Sequence, residues 1–290
     1  MTLVIAWIRE VAGTRELVVA ADSRVRGGYA WDAAPKLLPL DRGDAVIAYA
    51  GDSLIAYPVM LQIQSTVRSW DKAANRRQPL EHLKGHLLRV LNAMLQSVSE
   101  VQAMDAWDPA AVRFVLAGYS WRRRQFVIWE LHYDANCQRF HYRTLRRRLD
   151  DRRLTTSYVL VGDGTKAAKA LLCERLHAAG RLFPATGLDM EPLAVLAAMI
   201  EDPAFPSIGG APQVVKVYEY LDAVPFVVDW QDARFYAGRE LLEYEAPDRV
   251  AHLPVRQFGY AVDLALIRER RMLATYLRSR LRSLEHEQPG

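Results

Sequence analysis

The first 52 residues hold four residue types that together could carry out acyl transfer: Thr2, Asp22, Lys36 and Gly51. Met1 stands before a small residue, so its removal would leave Thr2 with a free α-amine. An amine and a hydroxyl on one residue make a self-contained base and nucleophile. A threonine hydroxyl is a poor nucleophile until a base takes its proton, and an α-amine, with a reference pKa near neutrality, suits that work. A lysine beside it, held charged by an aspartate, keeps the local potential positive. That favours the neutral amine and the developing alkoxide. The aspartate also spares a buried lysine from standing unpaired. A glycine lets the backbone approach closely, so that its N–H reaches the oxyanion of a tetrahedral intermediate. Taken alone, Asp22 and Lys36 read first as an ordinary ion pair at a strand end; it is their order with Thr2 and Gly51 that points to catalysis.

The elements that must position these groups are short apolar runs. Thr2 opens LVIAWI, and a turn at Ala12-Gly13-Thr14 leads to LVVAADSR, Leu17 to Arg24, with Asp22 at its end. Lys36 begins KLLPL, and AVIAYAGD closes around Gly51. Apolar runs of this length between turn signals predict buried strands. Consecutive hairpins would bring all four groups to one end of one sheet.

This order resembles the N-terminal half of a proteasome β subunit, the superfamily that includes the bacterial HslV peptidase and the Anbu proteins. The matching residues are Thr2, Ala20-Ala21-Asp22-Ser23-Arg24, Lys36 and Ala50-Gly51. The spacing from Thr2 to Asp22 is a few residues longer than in the family, which a longer loop at Glu10 to Arg15 would absorb. The resemblance covers roughly Thr2 to Trp230 and implies a four-layer αββα sandwich of the N-terminal-nucleophile type. It implies a threonine peptidase or amide hydrolase acting in a homo-oligomer, ring or helical, on peptide or protein, with an ATP-dependent unfoldase as a conceivable partner. Tyr49 and Ser53 flank Gly51 on the side where the family has its substrate pocket.

Two later turns extend the resemblance. Gly162-Asp163-Gly164-Thr165 stands where the family has a GSGS-like turn whose first serine contacts the N-terminal amine. Here Asp163 takes that place. It could accept a hydrogen bond from the amine, or hold the amine protonated and weaken it as a base. Ser207-Ile208-Gly209-Gly210 stands where the family has a DxxSGG-like turn, with Asp202 farther upstream than the pattern requires. The rival readings are an inactive scaffold subunit of the same fold and a small-molecule amidase of the same superfamily.

The chain has 290 residues, 51% hydrophobic and 25% charged, with net charge +4 and pI near 9.1. This composition suits an ordinary globular protein and does not by itself argue for nucleic acid. Cys137 and Cys173 lie far apart, and the seven histidines form no ligand pair. No disulfide framework, metal or cofactor is therefore expected. Arg9 and Glu10 break the N-terminal apolar run too early for a signal peptide, and no stretch approaches a membrane span. The expectation is a cytoplasmic protein with neither membrane nor nucleic-acid partner. Arg122-Arg123-Arg124 and the run from Arg146 to Arg153 read as a solvated hairpin tip and a loop.

Apolar spacing predicts helices over Ser53 to Ser69, with Pro58 inside, and over Leu80 to Val101, separated by a polar loop from Asp71 to Gln78. A meander of strands follows at Val112 to Gly118, Gln125 to His132 and Arg139 to Thr144. Beyond it come a strand from Tyr158, helices near Lys166 to Ala179 and Asp189 to Ile200, and strands at Gln213 to Tyr220 and Val224 to Asp229. Two domains are expected: a hydrolase-like domain over residues 1–230, and a C-terminal connector and long amphipathic helix over 231–290. Within the second, Gln231 to Arg256 reads as extended or turn-rich, and Gly259 to Glu287 as a basic amphipathic helix packing on its own domain or a sister subunit.

Overall fold

The computed structural model describes residues 2–11, 13–99, 108–144, 158–181, 187–220, 222–245 and 251–254. In chain order the strands are β1 Leu3–Val11, β2 Thr14–Ala21, β3 Val25–Arg26, β4 Ala30–Trp31, β5 Leu37–Pro39 and β6 Ala45–Gly51. Helices α1 Ser53–Ser69, α2 Asp71–Ala74 and α3 Leu80–Leu95 follow. Then come β7 Val112–Ser120, β8 Gln125–Asp134, β9 Arg139–Thr144 and β10 Tyr158–Gly162, with α4 Thr165–Ala178 and α5 Glu191–Glu201. The chain continues through β11 Gln213–Tyr218, β12 Asp222–Trp230, β13 Ala233–Tyr236, β14 Arg239–Glu240 and β15 Ala251–Pro254.

The large sheet runs in the order β10-β1-β2-β11-β12-β13-β14, with β15 paired parallel to β12. A second sheet runs β5-β6-β7-β8-β9, and β3-β4 form a separate ribbon. Every pairing but β12–β15 is antiparallel.

The apolar runs are explained by strands buried on both faces. In β1, Leu3, Ile5 and Trp7 join a core with α4 and α5, while Val4 and Ala6 face the second sheet. In β6, Ala45, Ile47 and Tyr49 lie under α1 and α3, while Val46, Ala48 and Ala50 meet the large sheet. Side chains alternate across a strand, so continuous hydrophobicity is what two covered faces require.

The expected four-layer αββα sandwich with a C-terminal helical extension is corrected to a mixed α/β fold of mostly antiparallel sheets, with five helices among the described residues. The large sheet runs on through β13, β14 and β15, and the β3–β4 ribbon stands outside both sheets. One of the five helices has only four residues. The physical reason lies in residues 231–254, which read as a connector. They carry strands that satisfy their backbone groups on the edge of β12, so the large sheet does not stop at residue 230. The expected helix over Gly259 to Glu287 and the basic run from Arg146 to Arg153 lie outside the described residues.

Helix α1 occupies the predicted span despite Pro58. The lost N–H would have bonded the carbonyl of Leu54, and both residues are exposed, so that carbonyl can turn to water. Asp52 caps the helix, its carboxylate accepting the Leu54 N–H at 2.8 Å. The loop after Trp70 contains α2, a single helical turn, and α3 ends at Leu95, short of the predicted Val101. No helix among the described residues is long and apolar enough to cross a membrane.

Candidate active site

Strand β1 lies between β10 and β2, with Leu3 opposite Gly162 and Val4 opposite Ala21. Continued by one residue, that register sets Thr2 beside Asp163 on one side, and on the other it sets Leu3 beside Asp22, one residue on from Thr2. The Asp163 N–H donates to the Thr2 carbonyl at 2.8 Å. Gly162 makes this approach feasible. It has φ +108°, and a Cβ there would stand 1.8 Å from the Thr2 carbonyl oxygen.

Lys36 comes from the other sheet, immediately before β5. The four groups therefore do not share one sheet, as the hairpin order suggested. Thr2 and Asp22 come from the large sheet and Lys36 from the segment entering the smaller one, and these three meet where the two sheets abut, while Gly51, also from the smaller sheet, stands at the edge. The Lys36 ammonium reaches Thr2 Oγ1 at 2.6 Å, Asp22 Oδ1 at 3.0 Å and the Arg24 carbonyl. Thr2, Asp22 and Lys36 are all buried. An ammonium has three donors, and here all three are directed at oxygen. The carboxylate and the carbonyl can only accept, so two donors are committed and the third faces the one group that can also give up a proton.

Asp22 is held from several elements. Its carboxylate accepts the Leu3 and Arg24 N–H groups, each at 3.1 Å, and the Gly209 N–H at 3.1 Å. Burial pushes the Asp22 carboxyl above its usual range, opposed by Lys36 and by these amides. Burial likewise pushes the Lys36 amine below its usual range, opposed by Asp22 and by the field of Asp163. Each charge is favoured by the other against the cost of burial.

Around this pair is a frame that sequence reading missed. Gln213, at the start of β11, accepts the Lys36 N–H at 3.0 Å and donates to the Ala34 carbonyl at 2.7 Å and to Ser23 Oγ at 2.9 Å. One amide thereby fixes the segment that carries Lys36 against the end of β2. Arg24 makes a two-pronged pair with Asp32, both contacts at 2.7 Å, and donates to the Pro206 carbonyl at 3.2 Å. Gly209 lies directly against that guanidinium, where a Cβ would come within 2.3 Å of Arg24 Cζ. The only sequence signal for this frame was a polar residue opening a mostly apolar strand, and that is a common pattern.

The remaining predicted residues divide. Gly51 ends β6 with φ +114°, and a Cβ there would strike the Ala111 carbonyl oxygen at 1.9 Å. Its neighbour Ala50 abuts the Gly162–Thr2 contact, which puts Gly51 at the edge of the site. Ser207 is half-buried, and among the described residues its hydroxyl has no hydrogen bond to Thr2, Asp22 or Lys36. The contact from that loop is the backbone of Gly209, two residues on. Asp202 is exposed, accepts the Ala204 N–H and does not join the site.

Tyr49 does not line an open surface. It is fully buried under α1, edge-to-face with Tyr57 at 5.3 Å between ring centroids. Burial, reinforced by Tyr57, pushes its hydroxyl far above the usual range. Strand alternation explains the placement, because Ala50 turns towards Thr2 and its predecessor must turn away. Ser53 is half-buried at the first position of α1.

Among the described residues no group of three His, Cys, Asp or Glu side chains is placed to hold a metal ion. Chemically, the arrangement can keep a hydroxyl in a positive field, shielded from water, next to the backbone atoms of residue 2. No family model matches the chain. No curated protein matches it either.

Proposed function

We propose that this protein is an N-terminal threonine hydrolase of the proteasome-subunit type that cleaves peptide amides once Met1 is removed, and that it works as a homo-oligomer. The observation that carries this reading is the Lys36 ammonium at 2.6 Å from Thr2 Oγ1 while paired with Asp22 at 3.0 Å. A structural ion pair has no need of a hydroxyl as third partner. A lysine that lowers the cost of forming an alkoxide does.

In this reading the neutral Thr2 amine takes the Oγ proton as Oγ bonds to the carbonyl carbon, and the carbonyl oxygen becomes an oxyanion. Lys36 stabilises the developing charge on Oγ, and the Gly51 N–H is the proposed oxyanion donor. The amine then gives its proton to the leaving nitrogen as the C–N bond breaks, leaving an ester on Thr2. It next takes a proton from water as the water oxygen bonds to the ester carbonyl carbon, and returns that proton to Oγ as the C–Oγ bond breaks, restoring the hydroxyl and the neutral amine. Asp22 and Gln213 act through Lys36 as positioning residues.

Intact mass before and after treatment with a peptide epoxyketone tests this directly. The reagent closes a stable ring only on a hydroxyl and a free amine of the same residue. Loss of one methionine followed by a single adduct, absent in Thr2→Ala, is the expected result. Retained Met1 with no adduct would overturn the hydrolase reading in favour of a scaffold subunit.

A further inference from the structure

Asp163 has a carboxylate oxygen, Oδ2, enclosed by protein and without a hydrogen-bond donor among the described residues. Such an atom is costly unless a donor completes it. Its place is fixed by the backbone, because the Asp163 N–H is bonded to the Thr2 carbonyl at 2.8 Å. Asp163 also stands just before α4, whose N-terminus favours a negative charge there. We propose that this carboxylate is the acceptor for the α-ammonium of processed Thr2, forming an ion pair that keeps the site protonated at neutral pH and makes it active only in the alkaline range. The inference rests on the hydrolase reading for its consequence in catalysis, but the ion pair itself does not.

The surrounding charges set the sign. From the segment before β5, Lys36 places a positive charge against Thr2, and from the end of β2 Asp22 balances it. Farther out, Asp32 is tied to Arg24. On α4, Lys166 is exposed. Towards α5 the turn is apolar, with Met199, Phe205 and Ile208 against Gly164. With Asp22 neutralising Lys36, Asp163 is left as the anion available to the amine. An opposite charge within about 4–6 Å raises an amine pKa by about one to two units. The amine is the base, so the raised value moves the acid limb of activity to higher pH. Because the field of Asp163 also reaches Lys36, removing the carboxylate disfavours charge on both nitrogens.

The test measures the amine apart from catalysis. Competitive acetylation with acetic anhydride between about pH 6 and pH 10, read on the N-terminal peptide by mass spectrometry, gives the titration of the Thr2 amine. The wild type, Asp163→Asn and Asp163→Ser are compared, the Asn variant keeping the side chain's size without its charge. The wild-type amine is expected to titrate above the ordinary α-amine value of about 8. Both variants should titrate about one to two units lower, and the acid limb of epoxyketone adduct formation should move with them. An amine that titrates at the same pH in all three proteins, or higher in the variants, would overturn the proposal. A shifted amine with no adduct in any protein would leave the ion pair standing and overturn the hydrolase. Retention of Met1 would overturn both.

Discussion

Strands β1, β2 and β11 carry two clusters of buried charge, one at each end. At the Thr2 end Lys36 meets Asp22, Thr2 Oγ1 and a carbonyl. Seven residues along β1, roughly 20 Å away at strand rise, Glu16 Oε1 takes Arg9 at 2.9 Å and Lys216 at 3.0 Å, and Arg9 also contacts Asp189. Arg9, Glu16 and Lys216 are buried like Lys36, and burial pushes the Lys216 amine down as it does that of Lys36. Burial and a lowered lysine therefore do not distinguish a reactive site from a structural one. The difference lies in what the cation touches. Glu16 is shared by two cations and Lys216 also lies over the Phe226 ring, whereas Lys36 gives one of three contacts to a hydroxyl on the residue that opens β1.

The comparison can be broken or sharpened by substitution. Thr2→Ala should abolish the epoxyketone adduct completely while leaving the thermal midpoint near the wild-type value. A surviving adduct would remove the functional distinction between the two ends. Lys36→Met leaves Asp22 as an uncompensated buried charge and should cost about 3–5 kcal/mol in denaturant unfolding, together with a hundredfold or greater loss of adduct rate, on the order of a lost acid–base partner. Adding Asp22→Leu should restore most of the stability and none of the rate, separating the two roles of the pair. Glu16→Gln, at the far end, strips the carboxylate that two cations share. It should cost about 3 kcal/mol and leave adduct formation unchanged. A large loss of rate there would mean that the two clusters are coupled.

The smallest effect is expected at the β3–β4 ribbon. The hydrogen-bonded Arg24 guanidinium holds the Asp32 carboxyl below its usual range. That contribution is fully present above the unfolded carboxyl value, about 4, and is lost as pH falls through the lower folded value. Fluorescence of the half-exposed Trp31 should report loosening of the ribbon in that acid window before global unfolding, and Asp32→Asn should abolish the pH dependence.

Much of the secondary structure was legible in the sequence, because apolar period and turn residues are local. Helix α1 and strand β9 have the bounds that their sequence patterns predict. The site was legible in residue types but not in assembly. Asp22 and Lys36 were readable as a pair; their meeting from two different sheets was not. Tyr49 looked like a pocket residue because it neighbours Gly51, and strand alternation turns it into the core instead. Short strands such as β13 and β14 were missed because two to four residues present no period to read.

The sequence by itself determined which segments bury both faces, and that an acid, a lysine and a glycine follow Thr2 at strand ends. Those properties arise from neighbours a few residues apart. Only the tertiary structure decided that the two sheets abut at Thr2, that Gln213 and Gly209 hold Lys36 and Asp22 from 177 and 187 residues away, and that Asp163 presents an oxygen without a hydrogen-bond donor among the described residues. Contacts of such separation depend on the pairing order of whole strands, and no local pattern of side chains specifies that order.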